Sequence, residues 1–349
     1  MERMPLETQT LYSEFMEQLT AFEAGRTIGK LPGTFTRKKI KGETYLYFQY
    51  SGPGGARKQV YLGRESPLLK KVVERFREER EAFEPDRESI GRLCALLRTG
   101  GALATDPSSG RVLRALSEAG VFHLNGVLVG TNAFIALGNL LGVRWDRAAL
   151  RTLDIDIAGT PTMQVAVPEV KAGIPEALES LEMGFLPVPP FNPKDPSTSF
   201  KVRGKPLRVD LLTPLKKGSK KGVVTLPRFG AAAQCLPYLD FLIEDPVKGA
   251  VVDGGGVLVN VPAPERFAFH KLATVGMRGV TEQTKAEKDL LQAAQVLEIL
   301  LEDRPEDVRR AVQGVGKGGR NWVRMVKAGV RKLEKRFPEV DWTALAFRD

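Results

Sequence analysis

Apolar residues recur along this chain with two periods, and the switch between them marks out its elements. Residues 7–24 repeat every three to four positions, as a helix with one buried face does. Thr44 to Tyr50 instead alternates aromatic and aliphatic residues, as a strand does. A Gly-Pro-Gly-Gly turn at 52–55 and a second alternating stretch at Gln59 to Leu62 complete a predicted β-hairpin. Helices are predicted over Ser66 to Phe83 and Arg87 to Leu97, followed by a boundary marked by Gly100, Gly101 and the stretch Thr105 to Gly110. Residues 111–262 alternate short apolar strands with helices, and past Pro262 and Pro264 the period is helical to the end, apart from a glycine-rich break at Gly314 to Gly319. Three regions are therefore expected: 1–110, helical with a β-hairpin; 111–262, strands and helices together; and 263–349, helical. No internal repeat is visible.

Val121 to Val143 carries no formal charge, yet it does not read as a membrane span. Gly126, Gly130, Gly138 and Gly142, with Asn125, Asn132 and Asn139, interrupt it, and amides are expensive in lipid. A core strand at Val127 to Val129 followed by a core helix from Asn132 to Leu141, closed by Gly142, accounts for the pattern. Two cysteines, Cys94 and Cys235, are too few for a disulfide framework or a thiolate zinc site, and MERMPLETQT lacks the apolar core of a signal peptide. A reducing cytoplasm is the expected setting.

Net charge is +10, and its distribution is more informative than its total. Residues 35–64 carry +6, 201–228 carry +8 and 309–336 carry +9, which leaves −13 for the remainder. Basic stripes of this kind concentrate polyanions such as nucleic acid or nucleoside triphosphate. In the last stripe Arg320, Arg324, Lys327, Arg331 and Lys335 recur at helical spacing, with Val323, Val326, Val330, Leu333 and Phe337 on another face. That helix is a candidate nucleic-acid surface; a solvated helix face is the simpler alternative. Tyr45 and Tyr47 share one face of their strand and suit base stacking, although aromatic residues also simply favour strands.

The strongest chemical signal is Arg151-Thr152-Leu153-Asp154-Ile155-Asp156-Ile157-Ala158. Period two puts both carboxylates on one strand face, where they repel one another unless a cation lies between them. Magnesium, bound by carboxylate and phosphate oxygens, suits that arrangement. Upstream, Gly130-Thr131 stands where a strand turns into a helix, so its backbone is open to a ligand and the helix N-terminus faces a phosphate; Thr131 as a simple N-cap is the plainer reading. Downstream, Asp210 lies in the apolar string Leu207-Arg208-Val209-Asp210-Leu211-Leu212 and is the sole carboxylate between Lys201 and Arg228. It reads either as an ion-pair partner or as a third metal ligand.

Gly130-Thr131, then Arg151-Thr152-Leu153-Asp154-Ile155-Asp156, then a lone Asp210 resembles the nucleotidyltransferase superfamily typified by DNA polymerase beta. The Arg-Thr-x-Asp-x-Asp string and Phe269-His270-Lys271-Leu272 are similar to the bacterial branch of abortive-infection and MenT-type toxin nucleotidyltransferases. The likeness spans roughly residues 120–275; Thr131 replaces the usual serine, and 24 positions separate Gly130 from Asp154. It implies an α+β fold, a mixed β-sheet core flanked by helices. It further implies that Asp154, Asp156 and Asp210 hold two Mg2+ ions, and that Gly130, Thr131, Arg151 and Lys271 contact a nucleoside triphosphate. An RNA acceptor such as a tRNA 3′ end and an antitoxin protein are the partners it suggests. His270 is assigned to packing, and Asp253-Gly254-Gly255-Gly256 to a hairpin turn.

Transfer of a nucleoside monophosphate to an acceptor hydroxyl is thus the leading expectation, with RNA, a protein hydroxyl or a small molecule as acceptor. A nucleic-acid-binding module with an inactive or regulatory centre is the second reading, and a sugar-nucleotide glycosyltransferase using Asp-x-Asp a weaker third.

Overall fold

A computed structural model of the chain describes residues 1–25, 33–51, 57–150, 152–161, 172–216, 218, 222–279, 282–317 and 319–347. The chain opens with a short strand β1 (Glu2–Arg3) and helix α1 (Leu6–Ala24), then three strands, β2 (Thr34–Ile40), β3 (Glu43–Ser51) and β4 (Arg57–Arg64). Helices α2 (Pro67–Thr99) and α3 (Pro107–Glu118) lead to β5 (Val127–Val129), α4 (Gly130–Leu140), β6 (Val143–Arg144) and β7 (Asp154–Ala158). Next come α5 (Ile174–Glu179), β8 (Phe185–Pro187), β9 (Ser199–Val202), β10 (Arg208–Pro214), β11 (Val223–Leu226), β12 (Ala231–Leu236) and α6 (Leu239–Ile243). A hairpin of β13 (Val247–Val251) and β14 (Val257–Val261) precedes four helices: α7 (Pro264–Met277), α8 (Gln283–Asp303), α9 (Pro305–Gly316) and α10 (Arg320–Arg336).

The largest sheet is mixed, in the order β11-β12-β10-β7-β5, with β9 alongside the first half of β10 and β8 outside it. Strands β7 and β10 run parallel while β5 runs antiparallel to β7, so the α+β expectation holds. Ile155, Ile157, Val209 and Leu211 are fully buried in one apolar core that continues through α7 and α8. A second core joins Tyr12, Phe15 and Leu19 of α1 and Ile90 and Leu97 of α2 to Ala250 and Leu258 of the β13–β14 hairpin. Both cysteines are free and buried. Among the described residues no helix is long and apolar enough to cross a membrane.

Two elements differ from the sequence reading. The N-terminal hairpin is a three-stranded sheet, because Thr34 to Ile40 pairs antiparallel with β3; its Arg37-Lys38-Lys39 run hides the alternation. The turn at 52–55 lies outside the described residues. The two helices read at 66–83 and 87–97 are one, with Pro85 inside. Pro85 and Glu81 are both exposed, so water can take the carbonyl that the missing N–H leaves free. The Asp253 turn is as expected: its carboxylate accepts from the Gly255 and Gly256 N–H groups at 2.9 and 2.8 Å and is gripped by Arg114.

Helix α10 lies directly on α7. A Cβ on Gly329 would overlap the Leu272 backbone carbonyl, and one on Gly276 would overlap that of Met325, so each helix offers the other a position without a side chain. Gly329→Ala should force these helices apart and cost about 1–3 kcal/mol, measurable as a lowered urea midpoint. An unchanged midpoint would show that they do not meet so closely.

Candidate active site

Alternation on β7 sends Ile155 and Ile157 into the core and Asp154 and Asp156 to the opposite face; on β10 it does the same for Val209 and Leu211 against Arg208 and Asp210. Because the strands are parallel neighbours, register decides what shares that face. Arg208 stands beside Asp154 and Asp210 beside Asp156. The three acids expected to act together, from stretches more than fifty residues apart, thus lie on one face of two adjacent strands.

On the other side of β7, Val129 pairs with Asp156 and Gly130 follows at once, in a left-handed conformation with φ +68°. A Cβ at residue 130 would occupy the place of the Asp156 carboxylate, so glycine is required both by the turn and by that side chain. Asn132 holds the first turn of α4 to β7 by donating to the Asp154 carbonyl at 2.9 Å. Thr131 is buried, and its hydroxyl accepts a long hydrogen bond (3.4 Å) from Gln292 of α8, which also donates to the Ala149 carbonyl at 2.8 Å.

Asp156 has the most perturbed acidity of this group. Burial foremost, then the charge of Asp210, with Asp154 adding a smaller push, raises its carboxyl to about 7, while Lys271 pulls the other way. Asp210 is differently placed: its Oδ1 accepts from Arg208 Nε at 2.7 Å and from the Ser199 hydroxyl, and Arg208 Nη2 reaches that hydroxyl at 2.8 Å. Both alternatives weighed for Asp210 are thus present together, since it neighbours Asp156 and is ion-paired. Neither Arg208 nor Ser199 was singled out from the sequence; Arg208, two residues before Asp210 in a strand, carries a readable signal, whereas Ser199 does not.

Lys271 extends from α7 to Asp289 of α8 (2.5 Å), a buried carboxylate that Arg278 also approaches at 2.8 Å. Its charge nevertheless acts on Asp156. Lys288, one residue before Asp289, is a further cation missed by sequence reasoning. Burial and Lys271 lower its pKa, while Asp289, Asp154 and Asp156 raise it. His270 is pushed down to about 4 by burial and by Lys271, so it is neutral at physiological pH. Arg151 lies outside the described residues. Arg320, Arg324, Lys327 and Arg331 line an open groove along α10 with Gly316, Val323 and Ala328.

Among the described residues no three histidine, cysteine or acidic side chains are arranged as a ready metal cage. The donor set still suits a hard cation. Asp154 and Asp156 share one strand face, and the raised pKa of Asp156 reflects its burial first and then the charges of Asp210 and Asp154, which Lys271 and Arg208 oppose. The linkage has a definite sign. An acid raised in the fold from 3.8 to about 7 is neutral in both states below pH 3.8 and costs stability progressively as pH rises to about 7. Asp156→Asn should therefore stabilise the metal-free protein at pH 8, by about 4 kcal/mol at most, with the gain vanishing near pH 4. Thermal unfolding at the two pH values checks this; equal effects at both would mean that Asp156 is not strained.

A family model described as Nucleotidyltransferase matches residues 108–315, which takes in β5, the Gly130 turn, both aspartate strands and α7 to α9. No curated protein and no solved structure matches the chain. With more than half of its length matched, including every carboxylate of the shared strand face, the chain belongs to this nucleotidyltransferase family, and its activity is nucleotidyl transfer.

Proposed function

We propose that this enzyme transfers a nucleoside monophosphate from a nucleoside triphosphate to a hydroxyl of RNA, at a centre where Asp154, Asp156 and Asp210 hold two magnesium ions. The observation that carries this reading is the register of β7 and β10, which sets Asp210 beside Asp156 on the face that also bears Asp154, next to the Gly130 turn. When bound, the ions supply activation of the acceptor hydroxyl and neutralisation of phosphate charge. The chain's own residues do the rest. Gly130 and Thr131, at the start of α4, receive the β- and γ-phosphates on backbone N–H groups and helix dipole. Lys271 and Lys288 face the acids from α7 and α8 and attract the triphosphate; Arg151 is assigned the same task. The acceptor oxygen bonds to the α-phosphorus as the bond to pyrophosphate breaks. Arg208 and Ser199 hold Asp210 Oδ1, so Arg208 sets how the third carboxylate is presented to the metal.

RNA is favoured as acceptor by the positive charge of 35–64, 201–228 and 309–336 and by the arginine-lined groove on α10, where Arg320, Arg324, Lys327 and Arg331 are assigned to its phosphates. The likeness to toxin nucleotidyltransferases adds an antitoxin protein as partner and the cytoplasm as setting. The ion pair between Arg208 and Asp210 supports a second reading, an RNA-binding module whose centre is regulatory.

Incubation with each labelled triphosphate, magnesium and cellular RNA separates these readings. Labelled RNA and pyrophosphate are expected from the native chain, with loss of at least three orders of magnitude in Asp154→Asn and Asp156→Asn at unchanged circular dichroism. Transfer that survives either substitution would remove that residue from the centre, and RNA binding without any turnover would favour the regulatory reading. Arg324→Ala should raise the Michaelis constant for RNA in a salt-sensitive way and leave that for the triphosphate unchanged; equal effects on both would exclude an RNA role for the α10 groove.

A further inference from the structure

The β2–β3–β4 sheet has two unlike faces. One is packed on α2: Leu46 is fully buried, and Phe35 and Phe48 lie 5.0 and 6.0 Å from the Phe76 ring in edge-on contact. The other face carries Tyr45 and Tyr47 of β3 and Tyr61 of β4, with Tyr61 opposite Tyr47 in register. Their rings form one cluster, Tyr61 lying 5.4 Å from Tyr47 and 6.1 Å from Tyr45, and Tyr61 is 56% exposed. Lys38 of β2 sits 4.7 Å over the Tyr47 ring and donates to Gln59 at 2.6 Å, and Gln59 donates in turn to Gln49. Among the described residues none of the three tyrosine hydroxyls is hydrogen-bonded, and Lys38, Lys39 and Lys41 make no ion pair.

Strand propensity explains an aromatic residue on a sheet, but a packed sheet has no need of three rings together on its solvent side. What such a surface offers is flat π-faces for unpaired bases, amides for base edges, and cations for the phosphates between them. We infer that the Tyr45–Tyr47–Tyr61 face with Lys38 is a binding platform for single-stranded RNA. Single strands are favoured over duplexes because stacking on a ring requires a base that is not already stacked between neighbours. The charge of the segment, +6 over residues 35–64, excludes a basic partner and matches a polyanion. The platform is separate from the carboxylate centre and does not rest on the transfer reaction. It also lies outside residues 108–315, which the family model matches.

The test is fluorescence anisotropy of the full-length chain with a labelled single-stranded RNA of about 12 nucleotides, without triphosphate or magnesium, so that its outcome is independent of transfer. Tyr61→Ala should weaken binding about fivefold or more, and Tyr47→Ala with Tyr61→Ala further, while Tyr61→Phe keeps the ring and stays within about twofold. Lys38→Gln should reduce the slope of log affinity against log salt by roughly 0.7. Photocrosslinking of a 4-thiouridine strand to the unmodified protein, followed by peptide mapping, gives a readout that needs no variant, and adducts are expected within residues 36–64. The inference is overturned if the tyrosine variants bind as the native chain does, if duplex RNA or polyglutamate binds equally well and shares the site, or if no adduct maps to the sheet.

Discussion

The site depends on crowded negative charge. Three carboxylates lie on one face of two parallel neighbours, with Asp156 half-buried between the Gly130 turn and Asp210. A half-buried carboxylate beside another acid is costly, and the chain offsets the cost in parts. Arg208 and Ser199 hold Asp210, Lys271 acts on Asp156 from α7, and Lys288 acts from α8. None of these neutralises the face, and the remaining negative charge is what a divalent cation would offset. The surrounding architecture follows from this. Gly130 is glycine because Asp156 fills the space of its side chain, and α7 and α8 come to this end of the sheet with their lysines.

A second constraint ties the basic groove of α10 to that centre. Helix α7 carries Lys271 on one side and meets α10 on another, where Gly276 and Gly329 allow backbone contact. The arginines of α10 are therefore held by the same helix that presents a lysine to the acids. Displacing α10 would also disturb α7, which carries Lys271.

Much of this was legible along the chain because period two is a strong signal. Asp-x-Asp among Leu153, Ile155 and Ile157 reads as two acids on one strand face, and the Val-Leu-Val-Gly-Thr string as a buried strand entering a helix. What could not be read was adjacency across the sheet. Whether Asp210 lies beside Asp156 or elsewhere depends on strand order, and that depends on the core as a whole. The Arg208 pair was half visible, since both residues alternate onto one face, yet only the register with Asp154 gives it meaning. Strand β2 was obscured by its Arg-Lys-Lys run, and Pro85 falsely marked a helix end because exposed carbonyls tolerate a missing N–H. Tyr61 joined the aromatic cluster through pairing of β3 with β4, across a turn whose sequence says little about register.

The most direct measurement of the central claim is the ionisation of Asp156 itself, followed by carbon-13 NMR of selectively labelled aspartate with and without magnesium. The account predicts a carboxyl titrating near 7 in the metal-free protein, which returns to the ordinary acidic range when magnesium is added and is raised less in Asp210→Asn, where burial still acts. An ordinary acidity in the metal-free protein, or a titration that magnesium leaves unmoved, would contradict it.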